Sequence, residues 1–353
     1  MSIGTTQEVA VVGFAHAAHT SSSFGTTNGV EMLAPVFGEC YQQTGLDRTD
    51  IDFWCSGSSD YLAGRAFSFI AAIDAIGATP SITESHVEAD AAWALFEAWL
   101  KITSGMADTA LVYGFGKPSA SADLDHAMAL QLDPYTVAPQ WPGRHHIAAL
   151  QARSGLFSGA WSEAEMASVA ARACGRDTGA LLDEPYVADP LRAHDCPPIT
   201  DGAAAIVLAS GDRARELCAN PAYITGIEHI IDSAEFGGRD LTDSPSSRTA
   251  AVRATGSSDD KPDFGGISIA ELHTPYSHQE LVLRRALGIP DQVAVTPSGG
   301  SLKADPMFSA GLERIGYAAN DIFEGRAERT LAHATGGHLL QQNLVCVMEG
   351  RDS

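Results

Sequence analysis

The sequence predicts an α/β protein with largely buried sheets. Two observations carry this. Short apolar runs rich in β-branched residues alternate with longer helix-like segments, and one such segment, Ala89 to Ser104, is apolar almost all round. The expected strands are Val9–Val12, Ile51–Cys55, Ala110–Tyr113, Ala203–Leu208, Ile267–Leu272, Gln292–Val295 and Asn343–Met348. Two halves of similar layout can be traced, each with strands, a helix-opening turn and a closing strand, although the repeat is faint.

The helix over 89–104 carries Trp93, Leu95, Phe96, Trp99, Leu100 and Ile102 and stops at Gly105, so it is expected to be buried rather than amphipathic. Glu88 and Asp90 suit its start, where carboxylates accept free backbone N–H groups and complement the helix dipole. Between Pro118 and Pro190 the alternation gives way to prolines, histidines, tryptophans and small residues, which reads as a loop-rich insertion with one capped helix over 162–173. Thr242 to Pro262 lacks periodicity and reads as an exposed loop. Ser277 and Glu280 are placed to form a capping box for the helix after His273.

With 353 residues, the chain has room for two domains of ordinary size around a large core, and a 45% hydrophobic content fits a globular protein. Acidic residues outnumber basic ones 44 to 22, and the net charge of −22 repels nucleic acid and anionic membranes. The six cysteines show neither a Cys-x-x-Cys pair nor a zinc spacing and read as reduced, intracellular thiols. No export signal or membrane span is expected, and a cytoplasmic location follows. The adjacent His145 and His146 lack a third ligand at a useful spacing, so no metal site is expected. The glycine pairs do not form a dinucleotide fingerprint.

Three stretches carry a resemblance. Asp195-Cys196-Pro197-Pro198-Ile199-Thr200-Asp201-Gly202-Ala203-Ala204-Ala205 resembles the motif that closes the first half of thiolases, especially those of the sterol-carrier-protein type. Ala107 to Gly114 resembles the strand after their buried helix, and Glu271-Leu272-His273 resembles their Glu-Val-His-Asp-Cys-Phe segment. The resemblance spans nearly the whole chain and implies a five-layered α-β-α-β-α fold with two similar halves. It divides the chain into a first half over 1–117, an inserted loop domain over 118–190, the end of the first half over 191–218, and a second half over 219–353. It also implies a dimer, homomeric or mixed with a thiolase-like paralogue.

The departures from the family are chemical. Thiolases place a nucleophilic cysteine at the start of the buried helix; alignment of Ala94-Leu95-Phe96 puts Glu88 there. Their Gly-His-Pro element reads Gly299-Gly300-Ser301-Leu302-Lys303-Ala304-Asp305-Pro306, with Asp305 in the histidine position, and their last catalytic element reads His333-Ala334-Thr335-Gly336-Gly337-His338. Ser85 to Leu95 resembles the lipid-transfer-protein-like branch of actinobacterial steroid catabolism, which includes aldolases acting on β-hydroxyacyl-CoA. That branch implies retro-aldol cleavage of a steroid or other bulky acyl-CoA without a cysteine nucleophile, and a small partner built from a zinc ribbon and a barrel. A non-catalytic subunit that completes a dimer with an active paralogue is the rival reading.

The candidate catalytic residues are His273, Tyr276, Asp305, Glu88 and His333. Gly299, Gly300, Gly336 and Gly337 are candidates for approaching a ligand with the backbone. Coenzyme A enters only as part of the substrate, with Lys117, Arg144, Arg153 and Arg172 as candidate cations for it, and no separate cofactor is expected.

Overall fold

A computed structural model describes residues 7–20, 29–62, 67–120 and 124–350; the first six residues, part of the leader reading, lie outside these. Ten strands join in one hydrogen-bonded series: β1 Val9–His16, β2 Phe53–Gly57, β3 Glu84–Val87, β4 Thr109–Gly116, β5 Gly202–Ser210, β6 Ala222–Ile231, β7 Ile267–Leu272, β8 Ala294–Val295, β9 Arg329–Gly336 and β10 Gln342–Glu349. Their spatial order is β8-β7-β9-β10-β6-β1-β5-β4-β2-β3. The main helices are α1 Val30–Thr44, α2 Ala91–Thr103, α3 Arg144–Ser158, α4 Glu163–Cys174, α5 Pro245–Ala254, α6 Ser277–Leu287 and α7 Ala310–Phe323.

The two halves of the sheet meet only where Ala10 and Val11 of β1 pair with Tyr223 and Ala222 of β6. This narrow seam lets the sheet fold around the central helices α2 and α7. Strand parity then sorts the core into three layers. Val112, Ile206, Leu344 and Cys346 face inward onto Leu95 of α2 and Leu312 and Ile315 of α7. Leu111, Tyr113 and Val207 face outward onto Leu33 and Phe37 of α1, and Leu331, Val345 and Val347 face outward with Ala250 and Ala251 of α5 and Val282 of α6. Helix, half-sheet, paired helices, half-sheet and helix make the five layers, and strands covered on both faces explain the continuous apolar runs. At the end of β2, a Cβ on Gly57 would sit 2.5 Å from the Ala91 backbone, so glycine is what lets α2 start so close to the sheet.

Four expectations need correction. Residues 118–190 are largely helical where described, holding α3, α4 and two shorter helices, Leu124–Ala129 and Thr178–Leu182. Only the capped helix was foreseen there: Ser162 and Glu165 form the reciprocal box that opens α4. The stretch 242–262 contains α5, whose buried face is built from Ser246, Ser247, Ala250, Ala251 and Ala254, side chains too small to register as an apolar stripe. Helix α6 is capped by Gln279 accepting from the Tyr276 N–H at 3.1 Å, while Ser277 donates to Asp195 and Glu280 pairs with Arg172 and Arg284. Helix α2 buries its alanines, Leu95 and Ile102 fully, but Trp93, Phe96 and Trp99 are only partly covered and Leu100 is exposed. Strands β3, β6 and β9 were also missed; β6 mixes glycine and charged residues because half of it faces outward.

Candidate active site

The N-termini of α2 and α7, the end of β7 and the β9–β10 turn converge on a cleft of about 570 Å³, covered on one side by α3 and the short helix at 124–129. Asp90 lies on its wall, almost wholly buried, and caps both central helices at once. Its carboxylate accepts from the backbone N–H groups of Ala92 at 2.9 Å, Gly311 at 2.8 Å and Leu312 at 3.0 Å. Two helix dipoles therefore point at one carboxylate. A Cβ on Gly311 would lie 2.5 Å from that carboxylate, so the arrangement requires glycine. Burial pushes the Asp90 pKa up, opposed by nearby His273 and by the three N–H donors.

His273 follows β7 directly. Its N–H donates to the His333 carbonyl at 3.0 Å, and the Thr335 N–H donates to its Nδ1 at 3.3 Å. Because Nδ1 accepts, the proton sits on Nε2, which faces Asp305 Oδ1 at 3.5 Å. Asp305 is positioned by its N–H to the Pro198 carbonyl and by the bridge of 305–306 to Ile199–Thr200. Among the described residues its Oδ1 has no hydrogen-bond partner, which leaves that lone pair for the His273 proton or for a bound molecule.

Tyr276 also lines the cleft, and its hydroxyl lies 3.1 Å from His145 Nδ1. Burial raises the phenol pKa and lowers that of His145, so a neutral phenol meets a neutral imidazole and a proton can pass between them in either direction. The two histidines read as a loop pair thus lie in the first turn of α3, where one meets the cleft tyrosine. Glu88 is exposed at the cleft wall and accepts from Ser59 Oγ at 3.2 Å.

The structure gathers His273, Tyr276, Asp305, Glu88, Gly336 and Gly337 on one cleft and leaves the other candidates elsewhere. His333 points away, under α5, where its Nε2 meets Asn343 Oδ1 at 2.9 Å; burial draws its pKa down to about 3. Gly299 borders a crevice against α4, and Gly300 packs on Thr296. Of the four candidate cations only Arg144 reaches the cleft, paired to Asp125 at 2.5 Å. Arg153 pairs with Asp189, Arg172 with Glu280, and Lys117 is buried. None of the six cysteines lines the cleft: Cys346 lies within β10, and Cys55 lies on β2, its thiol pKa raised by burial. His145 was missed as a site residue because its partner is 131 positions away.

No family profile matches the sequence. The chain is similar to an acetyl-CoA acetyltransferase of Methanothermobacter thermautotrophicus, 25% identical with 94% of each chain covered. It is also similar to one of Methanocaldococcus jannaschii, 24% identical over 70% of this chain and 68% of the other. Among solved structures it superposes on a Bacillus anthracis acetyl-CoA acetyltransferase with a TM-score of 0.80 at 14% identity, covering 98% of this chain and 100% of that one. For human mitochondrial 3-ketoacyl-CoA thiolase the TM-score is 0.76 at 13% identity, with 99% and 100% covered. For an Ltp2-ChsH2(DUF35) aldolase it is 0.77 at 15% identity, again with 99% and 100% covered. With its two half-sheets wrapped around paired central helices, the chain has the thiolase fold.

Proposed function

We propose that this protein cleaves the side chain of a bulky β-hydroxyacyl-CoA by a retro-aldol reaction that forms no acyl-enzyme. The observation that carries the reading is the cleft's chemistry: His273, Asp305 and Tyr276 converge there, the carboxylates of Glu88 and Asp90 stand at the start of α2, and no cysteine lines it. A carboxylate held by two helix N-termini is a poor acyl acceptor, whereas acid–base cleavage needs none. The relatives named acetyl-CoA acetyltransferase support a thioester substrate, and the aldolase of the same fold supports the bond broken.

In this reading the Asp305 carboxylate takes the proton of the β-hydroxyl. The bond between the α- and β-carbons breaks as the new carbonyl forms, and its electron pair passes into the thioester as an enolate. The His273 Nε2–H and the backbone at Gly336–Gly337 stabilise the enolate oxygen. The Tyr276 phenol then protonates the α-carbon and is reprotonated from solvent through His145, while Asp305 releases the hydroxyl proton to solvent. The products are a carbonyl compound and the shortened acyl-CoA. Leu124, Met128, Ile147 and Leu340 give the cleft the apolar wall that a bulky acyl group needs. Coenzyme A belongs to the substrate, and a small zinc-ribbon and barrel partner or a second thiolase-fold subunit completes the assembly.

The test is incubation of the protein, alone and with such a partner, with a branched β-hydroxyacyl-CoA, followed by chromatography of the acyl-CoA products and intact-mass measurement. Cleavage without a mass adduct on any cysteine is expected. A stoichiometric acyl adduct overturns the reading, as does cleavage that persists at full rate in the Asp305→Asn protein.

A further inference from the structure

Three ionisable groups at the junction of the two halves play no part in that chemistry. His16 closes β1, His19 follows it, and Glu313 lies in the first turn of α7. One nitrogen of each ring and one carboxylate oxygen lie within 4.8 Å of one another. His19 Nε2 is 3.0 Å from one Glu313 oxygen and 3.1 Å from the other. Two oxygens rich in lone pairs can face one nitrogen so closely only with an N–H hydrogen or a metal ion between them.

The surroundings of Glu313 leave it short of donors. Glu313 is fully buried, and Arg314 reaches it at 3.4 Å. The same guanidinium also serves buried Glu271 at 3.5 Å and Ser298 Oγ at 2.8 Å. Two buried carboxylates thus share one guanidinium, and His19 is the group set against the other side of Glu313.

His16 is already set as a ligand would be. Its Nδ1 lies 2.9 Å from the Ala17 carbonyl, which can only accept, so Nδ1 carries the proton and Nε2 keeps its lone pair. Metal-ligating imidazoles are oriented by the same bond from the other ring nitrogen to a carbonyl. The Tyr317 hydroxyl meets that Nε2 at 3.0 Å. Ring stacking of His16 on His19 at 5.1 Å keeps the two imidazoles together.

We propose that His16, His19 and Glu313 bind one divalent first-row transition ion of the Zn²⁺ class, with the Tyr317 phenol beside the fourth position. Two imidazoles and a carboxylate suit such an ion better than Ca²⁺ or Mg²⁺, which prefer all-oxygen shells. Binding draws the three donor atoms together to separations of roughly 3.3 Å, as tetrahedral Zn–N and Zn–O bonds require. The ligands come from β1, the loop after it and α7, so the ion ties the first half to the central helix of the second. His19 and Pro306 both pack on Gly202, which places this tie behind the segment that carries Asp305.

The experiment strips the full chain with a chelator, adds Zn²⁺ alone, dialyses, and reads bound metal by mass spectrometry and Tm by scanning calorimetry. Co²⁺ replaces Zn²⁺ for visible absorption, which reports nitrogen and oxygen ligation directly. About one retained equivalent with a raised Tm is expected in the wild type. Loss of both is expected in the His16→Ala/His19→Ala double variant, whereas His146→Ala keeps them. Should the double variant not fold, Glu313→Gln and single His16→Ala are read for metal in its place. No retained metal in the wild type overturns the proposal and reduces the contact to a hydrogen bond from the His19 ring to Glu313. Equal retention in the folded double variant, or in both replacement variants, overturns it as well. Neither result bears on cleavage in the cleft.

Discussion

His273 and His333 occupy adjoining parallel strands and share a backbone hydrogen bond, yet they belong to different regions. His273 lies just past the end of β7, where the strand opens onto the cleft, and its free nitrogen faces a carboxylate. His333 lies inside β9 on the outward face, between Leu331 and the α5 layer, where Asn343 Oδ1 accepts from it. Asn343 in turn donates to Ser246 Oγ, which donates to Asp232. The same residue type thus becomes a reactive group or a core strut according to strand parity and where the strand ends.

The comparison is broken most directly by exchanging the effects. His273→Ala and Asp305→Asn should each lower turnover of a β-hydroxyacyl-CoA by roughly 10² to 10⁴, about 3 to 5 kcal/mol in the barrier, with little change in unfolding free energy. His333→Ala should do the reverse, costing about 2 to 4 kcal/mol of stability through a cavity and an unpaired Asn343, while the surviving folded protein keeps its kcat. Steady-state kinetics beside urea unfolding separates the two. If His333→Ala abolishes turnover in protein that is still folded, the division between cleft and core is mistaken.

Asp90 sharpens the contrast because it belongs to both regions. Asp90→Ala leaves three buried N–H groups without their acceptor and should destabilise by about 3 kcal/mol, whereas Asp90→Asn retains a shape that accepts and should cost less. An Asp90→Ala midpoint equal to that of the wild type would show that the helix starts do not need the carboxylate.

Acid should destabilise the fold through its core histidines. Burial draws His278 and His333 each down to about 3. Both are neutral in the folded protein and take up a proton on unfolding below their ordinary pKa of about 6.5. Their contribution is therefore intact above about 6.5 and is lost progressively as pH falls toward 3. At pH 5 each costs up to about 2 kcal/mol relative to pH 7, which urea unfolding at the two pH values measures. A His333→Gln protein should lose less stability between them; the same loss in both proteins would contradict the burial argument.

The smallest effect concerns Tyr276 and His145. His145→Phe should lower kcat by about tenfold and shift its pH profile, since it removes the group that returns a proton to the phenol without removing the phenol. An unchanged profile would reduce His145 to packing.

What the sequence pattern determined by itself was an α/β class with buried sheets and one buried helix, while the five layers were implied by the family resemblance. Apolar runs without alternation announced strands covered on both sides, and the apolar stretch at 89–104 announced a buried helix. Asp90 before it and Ser162 with Glu165 marked helix starts because capping is local chemistry read over three residues. Helix α5 escaped because serine and alanine bury as readily as they face water, so only the sheet beneath them decides. The tertiary structure alone decided which ionisable groups meet. His273 with Asp305, Tyr276 with His145, Asp90 with Gly311 and His19 with Glu313 are each joined across long loops of chain. Such pairings depend on how two half-sheets close around α2 and α7, and local spacing in the chain does not encode that closure.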